Sequence, residues 1–312
     1  MKTRGIGWLA MCVILAGIGG AAAVTWAAAQ EGGVAVGTPV SMVVSVEAKH
    51  GKDVPAVAIE DVNVFQSSTK DRVTGWVPLT GDEAGLQLYV LVDDSVDAST
   101  GAQFKDVREF MNAQPPTTEI AVGYMRNGTV EAVQKFTTDR ELAGKALRLP
   151  LGAGSGGPSP YLSVSDLIKH WPESSGRREI LMISDGVDEL QEGAVNSYLD
   201  ATIHDAQRAG VQVYSIYASG AGHMGHAYWR INWGQYDLSR LADQTGGEAY
   251  FQGYQTPVSF GPFLDEFAER LKHQYRLTFL AAPAKKAGYE RLKLETGVPN
   301  AQLVGASSVY IP

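Results

Sequence analysis

Three runs in the middle of the chain are almost continuously apolar. They are LQLYVLVDD (Leu86–Asp94), REILMISD (Arg178–Asp185) and VQVYSIYA (Val211–Ala218). Runs of this kind are typical of strands that are buried on both faces of a parallel sheet. Because stretches with apolar residues at helical spacing separate them, the pattern predicts βαβ units and a mostly parallel sheet.

The same pattern places the helices and turns of this central region. A hairpin is predicted at Arg126-Asn127-Gly128, since this turn sequence lies between two strand-like runs. A long loop rich in glycine and aromatic residues is predicted for 219–234. Helices are predicted at about 102–112, 139–147, 161–170, 194–209, 236–244 and 263–273.

The flanking segments have a β-like pattern, with VSMVVSV (Val40–Val46) before the central region and a tail that ends in LVGASSVYIP. The predicted fold class is therefore α/β: a doubly wound, mostly parallel, three-layer sheet with β-rich additions at both ends. The predicted division is a flexible start and β-rich lead-in (30–85), a main domain (86–280), and a β tail (281–312) packed on the main domain or on the lead-in.

Residues 1–29 have the order of a secretory signal. Lys2 and Arg4 precede an apolar run from about Trp8 to Ile18, and small residues follow up to Ala29. This order predicts cleavage near Ala29 and a secreted or periplasmic protein. The alternative is an uncleaved membrane anchor, although the apolar run is short for a spanning helix. No later segment is apolar enough to span a bilayer, so we expect no membrane insertion after cleavage.

Composition narrows the classes of partner and site. The 312 residues are 45% hydrophobic, which is enough for a large core, and the net charge is −8. Removal of 1–29, with Lys2 and Arg4 and no acid, takes it to −10. An acidic surface argues against nucleic acid or anionic membrane as partners. The single cysteine, Cys12, lies in the signal, so a mature chain has no disulfide, thiol nucleophile or cysteine-based zinc site.

Polar residues follow two of the predicted core strands. One strand ends in Asp93-Asp94-Ser95-Val96-Asp97, the other in Ser184-Asp185-Gly186-Val187-Asp188, and a glycine-rich loop between them carries Ser159. In open parallel sheets, ligands bind beyond the carboxyl ends of the strands. Carboxylate and hydroxyl oxygens brought together there are the ligands that Mg²⁺ and Ca²⁺ prefer.

These strand ends resemble the metal-ion-dependent adhesion site of von Willebrand factor A domains, in which D-x-S-x-S, a loop threonine and a later S-D-G bind the ion. Asp93 and Ser95 match the first two ligands, and Asp185 matches the last. The resemblance covers about residues 86–280. It implies a doubly wound sheet with helices on both faces, and a metal whose open position accepts an acidic side chain of a protein partner.

A narrower resemblance concerns the exported von Willebrand A-related proteins of acidobacteria. It rests on the order of a β lead-in, this domain and a β tail, and on three stretches, 232–235, 241–250 and 273–279. It implies nothing about biochemical role.

Two positions depart from the family pattern. Asp97 stands where the family has serine, and Ser159, between Pro158 and Pro160, stands where it has threonine. As a third carboxylate, Asp97 would reduce the residual charge of the ion and favour Ca²⁺ over Mg²⁺. The sequence leaves open both a metal site formed by Asp93, Ser95, Asp97, Ser159 and Asp185, and a degenerate site without metal.

Other candidate residues have a functional and a structural interpretation. Asp94 and Asp188 adjoin the candidate ligands and are expected to be solvated or to support them. Asp97 is also suited to cap a helix that begins near Thr100. The aromatic residues of the long loop are either anchors for a partner or pins that hold the loop to its own domain; they are Tyr228, Trp229 and Trp233.

The leading functional prediction is an exported, adhesion-type protein-binding module without enzymatic activity. The alternative from another class is a metal-free structural or assembly protein of the cell envelope, whose terminal β segments pair with neighbours. A remote alternative is a serine hydrolase, because GAGSG at 152–156 approximates the G-x-S-x-G motif with its serine one place late.

Overall fold

The computed structural model describes residues 37–152, 159–173, 176–191, 193, 195–283 and 286–312. The predicted signal (1–29), most of the flexible start, Pro158 and the serine of the GAGSG motif lie outside these residues. Within the described ranges, no helix has both the length and the apolar character needed to cross a bilayer.

The elements follow one another in this order along the chain. The strands are β1 (Thr38–Ala48), β2 (Val62–Gln66), β3 (Thr69–Pro78), β4 (Leu86–Asp93), β5 (Thr118–Arg126), β6 (Thr129–Thr137), β7 (Arg177–Ser184), β8 (Val211–Tyr217), β9 (Ala249–Tyr250), β10 (Gln274–Ala281), β11 (Gly288–Thr296), β12 (Ala301–Gly305) and β13 (Ser308–Ile311). The α-helices are α1 (Phe104–Ala113), α2 (Arg140–Lys145), α3 (Pro160–Lys169), α4 (Ser197–Ala209), α5 (Tyr228–Thr245) and α6 (Gly261–Lys272).

A six-stranded sheet has the order β6-β5-β4-β7-β8-β9, and all its neighbours are parallel except β5 and β6. Every residue of β4 is buried. Val90 and Val92 pack in one core with residues of α1 and α6, whereas Tyr89 and Leu91 pack in another with residues of α3, α4 and α5. This part of the chain is doubly wound, as the apolar runs predict.

The lead-in and the tail form a second, seven-stranded sheet that is antiparallel, with the order β12-β1-β10-β3-β2-β11-β13. The prediction of a mostly parallel sheet therefore holds for one sheet only. β10 belongs to this second sheet, although it falls in the range predicted for the main domain. Its sequence explains the placement, because Leu277 and Phe279 are buried and alternate with less buried residues, as in a strand with one face on a core.

Helix α5 begins earlier than predicted. The residues taken for the second half of a loop, including Tyr228, Trp229 and Trp233, lie in its first turns. The predicted loop ended at Gly234 because a glycine in a helix interior costs about 1 kcal/mol. Here it is needed for packing: a Cβ at Gly234 would lie 1.9 Å from the carbonyl oxygen of Asp185. The predicted hairpin after β5 is present, with Asn127 and Gly128 both at positive φ.

Candidate functional site

The ends of β4 and β7 lie side by side, because Val92 pairs with Ile183 in parallel register. Asp93 at the end of β4 is fully buried. Its Oδ1 accepts hydrogen bonds from the Ser95 backbone N–H at 2.9 Å and the Ser95 hydroxyl at 2.6 Å. Its Oδ2 accepts from the Ser184 hydroxyl at 2.7 Å. Asp93 is thus fixed against the strand that leads directly into Asp185.

Asp185 is the second buried carboxylate of this edge. Its Oδ1 accepts a hydrogen bond from the Val187 N–H at 2.9 Å. Burial, and after it the negative charge of Asp93, raises the pKa of Asp185 to about 8. Burial likewise raises the pKa of Asp93. Because both carboxylates are buried and the charge of Asp93 raises the pKa of Asp185, this edge is a place where a cation or a proton is favoured.

The loop that follows β8 packs closely against the side chain of Asp185. A Cβ at Gly220 would lie 2.4 Å from Asp185 Oδ2, so only glycine leaves room for the carboxylate. The same loop is tied to the first strand end, because Asp97 N donates to Ser219 O and Ala221 N donates to Ser95 O. Three segments of the chain, after β4, β7 and β8, therefore meet at the candidate site.

Asp94 does not lie in solvent, contrary to one part of the expectation for it. It is fully buried, and its two carboxylate oxygens accept from the Arg148 guanidinium at 2.6 and 2.8 Å. The guanidinium also stacks 3.7 Å above the ring of Tyr124. The Leu151 N–H donates to Asp94 as well, at 3.2 Å. Asp94 thus anchors the segment 148–151 next to the site.

Asp97 lies at the start of the short 3-10 helix that precedes α1. Its Oδ1 accepts from the Ser99 N–H at 2.8 Å, and hydrogen bonds from Ser99 lower its pKa. Within the described ranges, no three Asp, Glu, His or Cys side chains are grouped closely enough to hold a metal ion. The contact with Ser99 is the one that the helix-cap interpretation of Asp97 predicts.

Ser159 caps α3 and contacts Asp188 rather than the pair of buried carboxylates. Its hydroxyl donates to Asp188 Oδ2 at 2.7 Å and accepts from the Leu162 N–H at 3.3 Å. Asp188 is buried, so it is not solvated, and it also accepts from the Leu190 N–H at 2.9 Å. The bond between Ser159 and Asp188 joins the glycine-rich loop to the loop that follows β7.

The aromatic residues of α5 are exposed beside the site. Tyr228, Trp229 and Trp233 are 63%, 40% and 37% exposed. Trp229 contacts Trp233 edge to face, and Tyr228 contacts Tyr254 in the same manner. His223 and His226 are exposed in the loop before this helix.

Sequence reasoning missed the extent of this apolar surface. Of the sixteen exposed large hydrophobic residues in the described part of the chain, twelve lie on α5 or in loops at the carboxyl edge of the six-stranded sheet. The sequence does contain a sign of this apolar surface, because residues 249–260 include no charged residue. The twelve are Leu149, Leu151, Leu190, Val195, Met224, Tyr228, Trp229, Trp233, Tyr236, Phe251, Tyr254 and Val258.

The side chains of the site fit a hard divalent cation in part. Asp93, Ser95 and Asp185 supply two carboxylates and one hydroxyl at a buried edge, and oxygen ligands are what Mg²⁺ and Ca²⁺ require. Asp97 and Ser159 make other contacts, so three of the five predicted ligands are close neighbours. Water or a partner would have to complete the coordination of such an ion.

The sequence matches no family model and no curated protein. Its structural neighbours include proteins described as von Willebrand factor A domains. One is a von Willebrand factor type A protein from Catenulispora acidiphila, with 10% identity, 88% of this chain and 73% of that chain covered, and a TM-score of 0.46. Another is the ArnB paralog VWA2 from Sulfolobus acidocaldarius, with 10% identity, coverage of 87% and 75%, and a TM-score of 0.37.

A third neighbour is the pilus adhesin SpaC from Lactobacillus rhamnosus GG, with 10% identity and a TM-score of 0.42; 72% of this chain and 38% of that chain are covered. The neighbours agree with the first resemblance seen in the sequence. At these TM-scores they carry no argument about function or ligands, and the narrower likeness to acidobacterial proteins stays a prediction.

Proposed function

We propose that this chain is an exported, adhesion-type protein-binding module, and that its partner binds at the carboxyl edge of the six-stranded sheet. A divalent cation held by Asp93, Ser95 and Asp185 is part of that proposal. The observation that carries it is the pair of buried carboxylates, Asp93 and Asp185, at the edge where the exposed apolar side chains are concentrated.

Electrostatics favours a cation at this pair. Two carboxylates at a buried edge repel each other, and each loses the solvation that stabilises its charge. A bound Mg²⁺ or Ca²⁺ would balance both charges and supply a Lewis-acidic position for an acidic side chain of the partner. Because Asp97 makes other contacts, the ion would face two carboxylates rather than three.

The surroundings of the pair favour protein binding. Interfaces are enriched in aromatic residues and depleted of charge at their centre. Tyr228, Trp229 and Trp233 are exposed on one helix, and the charged residue among 228–236, Arg230, is mostly buried. Edge-to-face ring contacts fix these side chains before a partner arrives, which lowers the entropy lost on binding. The proposal assigns no chemical step to the site.

Calorimetric titration of the mature protein with MgCl₂ and CaCl₂ tests the metal. The wild type should bind one ion, and Asp93→Asn and Asp185→Asn should lose the heat of binding while circular dichroism shows a retained fold. Asp53→Asn is the matched control, because Asp53 is exposed on the lead-in. A wild type that gives no heat with either ion would refute the metal-centred form of the proposal.

A metal-free structural or assembly protein is the second candidate. Its support is that Asp97 and Ser159, two of the five predicted ligands, are engaged as helix caps. A pull-down from the native envelope, with and without EDTA, separates the candidates. A partner released by EDTA supports the adhesion-type module, and one retained at equal yield supports the assembly protein. Export is tested by the mass of the mature chain, which should begin near Gln30.

A further inference from the structure

In the seven-stranded sheet, β1 and β13 each have an unpaired edge, and the gap between these two edges is called the seam. β1 pairs with β10 along Thr38–Ser45, and on its other side with β12 only from Val44 onward. In the described part of the chain, 38–43 thus has a strand partner on one side only. Among the described strands, β13 likewise pairs with β11 alone. Although β12 and β13 are consecutive, they stand at opposite ends of the strand order.

A cavity of about 300 Å³ lies at this seam. One wall is the free part of β1, Thr38–Ser41, and the opposite wall is β13 with Val309 and Tyr310. The end of α4, from Gln207 to Gly210, and Pro312 complete the lining. Because Gly210 directly precedes the first residue of β8, the cavity lies at the amino end of this strand. The candidate metal site lies at the carboxyl ends, so the two sites are separate.

The backbone at the seam is suited to a strand. Unpaired strand edges present rows of N–H and C=O groups to which an extended peptide can add. The free part of β1 and β13 both border the cavity. On the open side of β1, Val43 O already accepts from Gln212 Nε2 at 3.2 Å and Pro39 has no N–H, so the free backbone groups there are the N–H and C=O of Ser41 and the C=O of Pro39. An inserted strand can therefore hydrogen-bond to Ser41 on one side and to β13 on the other. Side chains alternate along β1, with Pro39 and Ser41 exposed and Val40 half-buried. An inserted peptide with alternating polar and apolar residues would match this pattern.

The charge of the residues that line the cavity indicates which kind of peptide the seam would bind. Arg208, at the end of α4, is the charged side chain among the lining residues, and its guanidinium lies 4.5 Å from the centre of the Tyr310 ring. No carboxylate of the described ranges lies within 4.0 Å of this guanidinium, although the chain carries a net charge of −8. An arginine held on an aromatic ring is a ready partner for a carboxylate.

We propose that the seam between β1 and β13 binds an extended, acidic peptide segment of a partner as an added strand, with its carboxylate on Arg208. This site goes beyond the proposed function and does not depend on a metal. It gives the protein a second contact surface, at the opposite edge of the six-stranded sheet from Asp93 and Asp185.

Fluorescence anisotropy with labelled pentapeptides tests the proposal. The probes are Thr-Xaa-Thr-Xaa-Asp, with Val, Leu or Tyr at both Xaa positions. At least one should bind the mature protein, and Arg208→Gln should weaken it tenfold or more, whereas Arg208→Lys should recover part of the loss. Ser41→Trp, which fills the seam from an exposed position, should abolish binding. Arg72→Gln is the matched control, since Arg72 is exposed on β3 outside the seam.

Two further measurements test the binding mode. Bound peptide should protect the amide of Ser41 and amides of 308–311 from hydrogen exchange, and Thr-Pro-Thr-Pro-Asp should not bind because proline cannot donate to a ladder. EDTA and Asp93→Asn should leave peptide binding unchanged, which separates this site from the proposed function. The proposal is overturned if no probe binds at 1 mM, if Arg208→Gln binds as well as wild type, or if protection appears elsewhere.

Discussion

The carbonyl oxygen of Asp185 lies so close to Gly234 that a Cβ on this glycine would be 1.9 Å away. Helix α5 therefore packs directly on the backbone of the candidate site. We expect Gly234→Ala to force the helix and the loop after β7 apart and to lower the free energy of unfolding by about 2 kcal/mol or more.

Urea unfolding measures this effect, and Gly297→Ala is its control. A Cβ at Gly297 would have no heavy atom within 4 Å, so this change should be nearly neutral. If Gly234→Ala were as stable as Gly297→Ala, the close packing of α5 on Asp185 would be wrong.

Gly234 also shows where sequence reasoning stops. The apolar runs ending at Asp93 and Asp185 predict the doubly wound sheet and the neighbouring carboxylates, because both follow from local pattern and strand topology. Whether a glycine in a helix marks a loop or a close contact depends on residues that are distant in sequence. The same holds for Asp97 and Ser159, because the sequence alone suits their side-chain oxygens equally to binding a metal ion and to capping a helix.

The ion pair between Asp94 and Arg148 can also be tested by mutation. Asp94 is fully buried and the Arg148 side chain is 34% exposed, so Arg148→Gln removes the charge partner of a buried carboxylate. We expect a loss of about 3 kcal/mol in the free energy of unfolding, since breaking a buried pair from one side leaves an uncompensated charge.

The double variant Asp94→Asn/Arg148→Gln is the control, because it removes both charges together. It should be more stable than Arg148→Gln alone in urea unfolding. Equal stability of the two variants would show that the charge of Asp94 is not what Arg148 compensates.

Glu179 predicts a pH dependence of stability. It is fully buried at the amino end of β7, where burial raises its pKa to about 7, although the Arg177 charge and a hydrogen bond from Gln274 oppose the rise. Between pH 4.5 and 7 the folded state keeps this proton and the unfolded state loses it. The stability from Glu179 is therefore complete below about 4.5 and is lost as pH rises through 7, by about 3 kcal/mol at most.

Urea unfolding at pH 5 and pH 8, for wild type and Glu179→Gln, isolates this contribution. The glutamine variant should lose less stability than wild type between the two pH values, because it stays neutral. An equal loss in both proteins would assign the dependence to other groups, among them Asp237, whose pKa burial raises to about 6.

Asp97 separates the two interpretations of the candidate site most directly. As a helix cap, its oxygen accepts from the Ser99 N–H, so Asp97→Ala should cost about 1 kcal/mol in stability. Asp97→Ser should recover most of that loss, because serine also caps helices and stands at this position in the family that the site resembles. Neither variant should change the Mg²⁺ or Ca²⁺ affinity by more than about twofold, since this carboxylate makes its contacts at the helix start. Unfolding curves without metal measure the first effect, and calorimetric titration of the same proteins measures the second. If Asp97→Ala bound the ion tenfold more weakly than wild type, Asp97 would be a ligand and the site would carry three carboxylates.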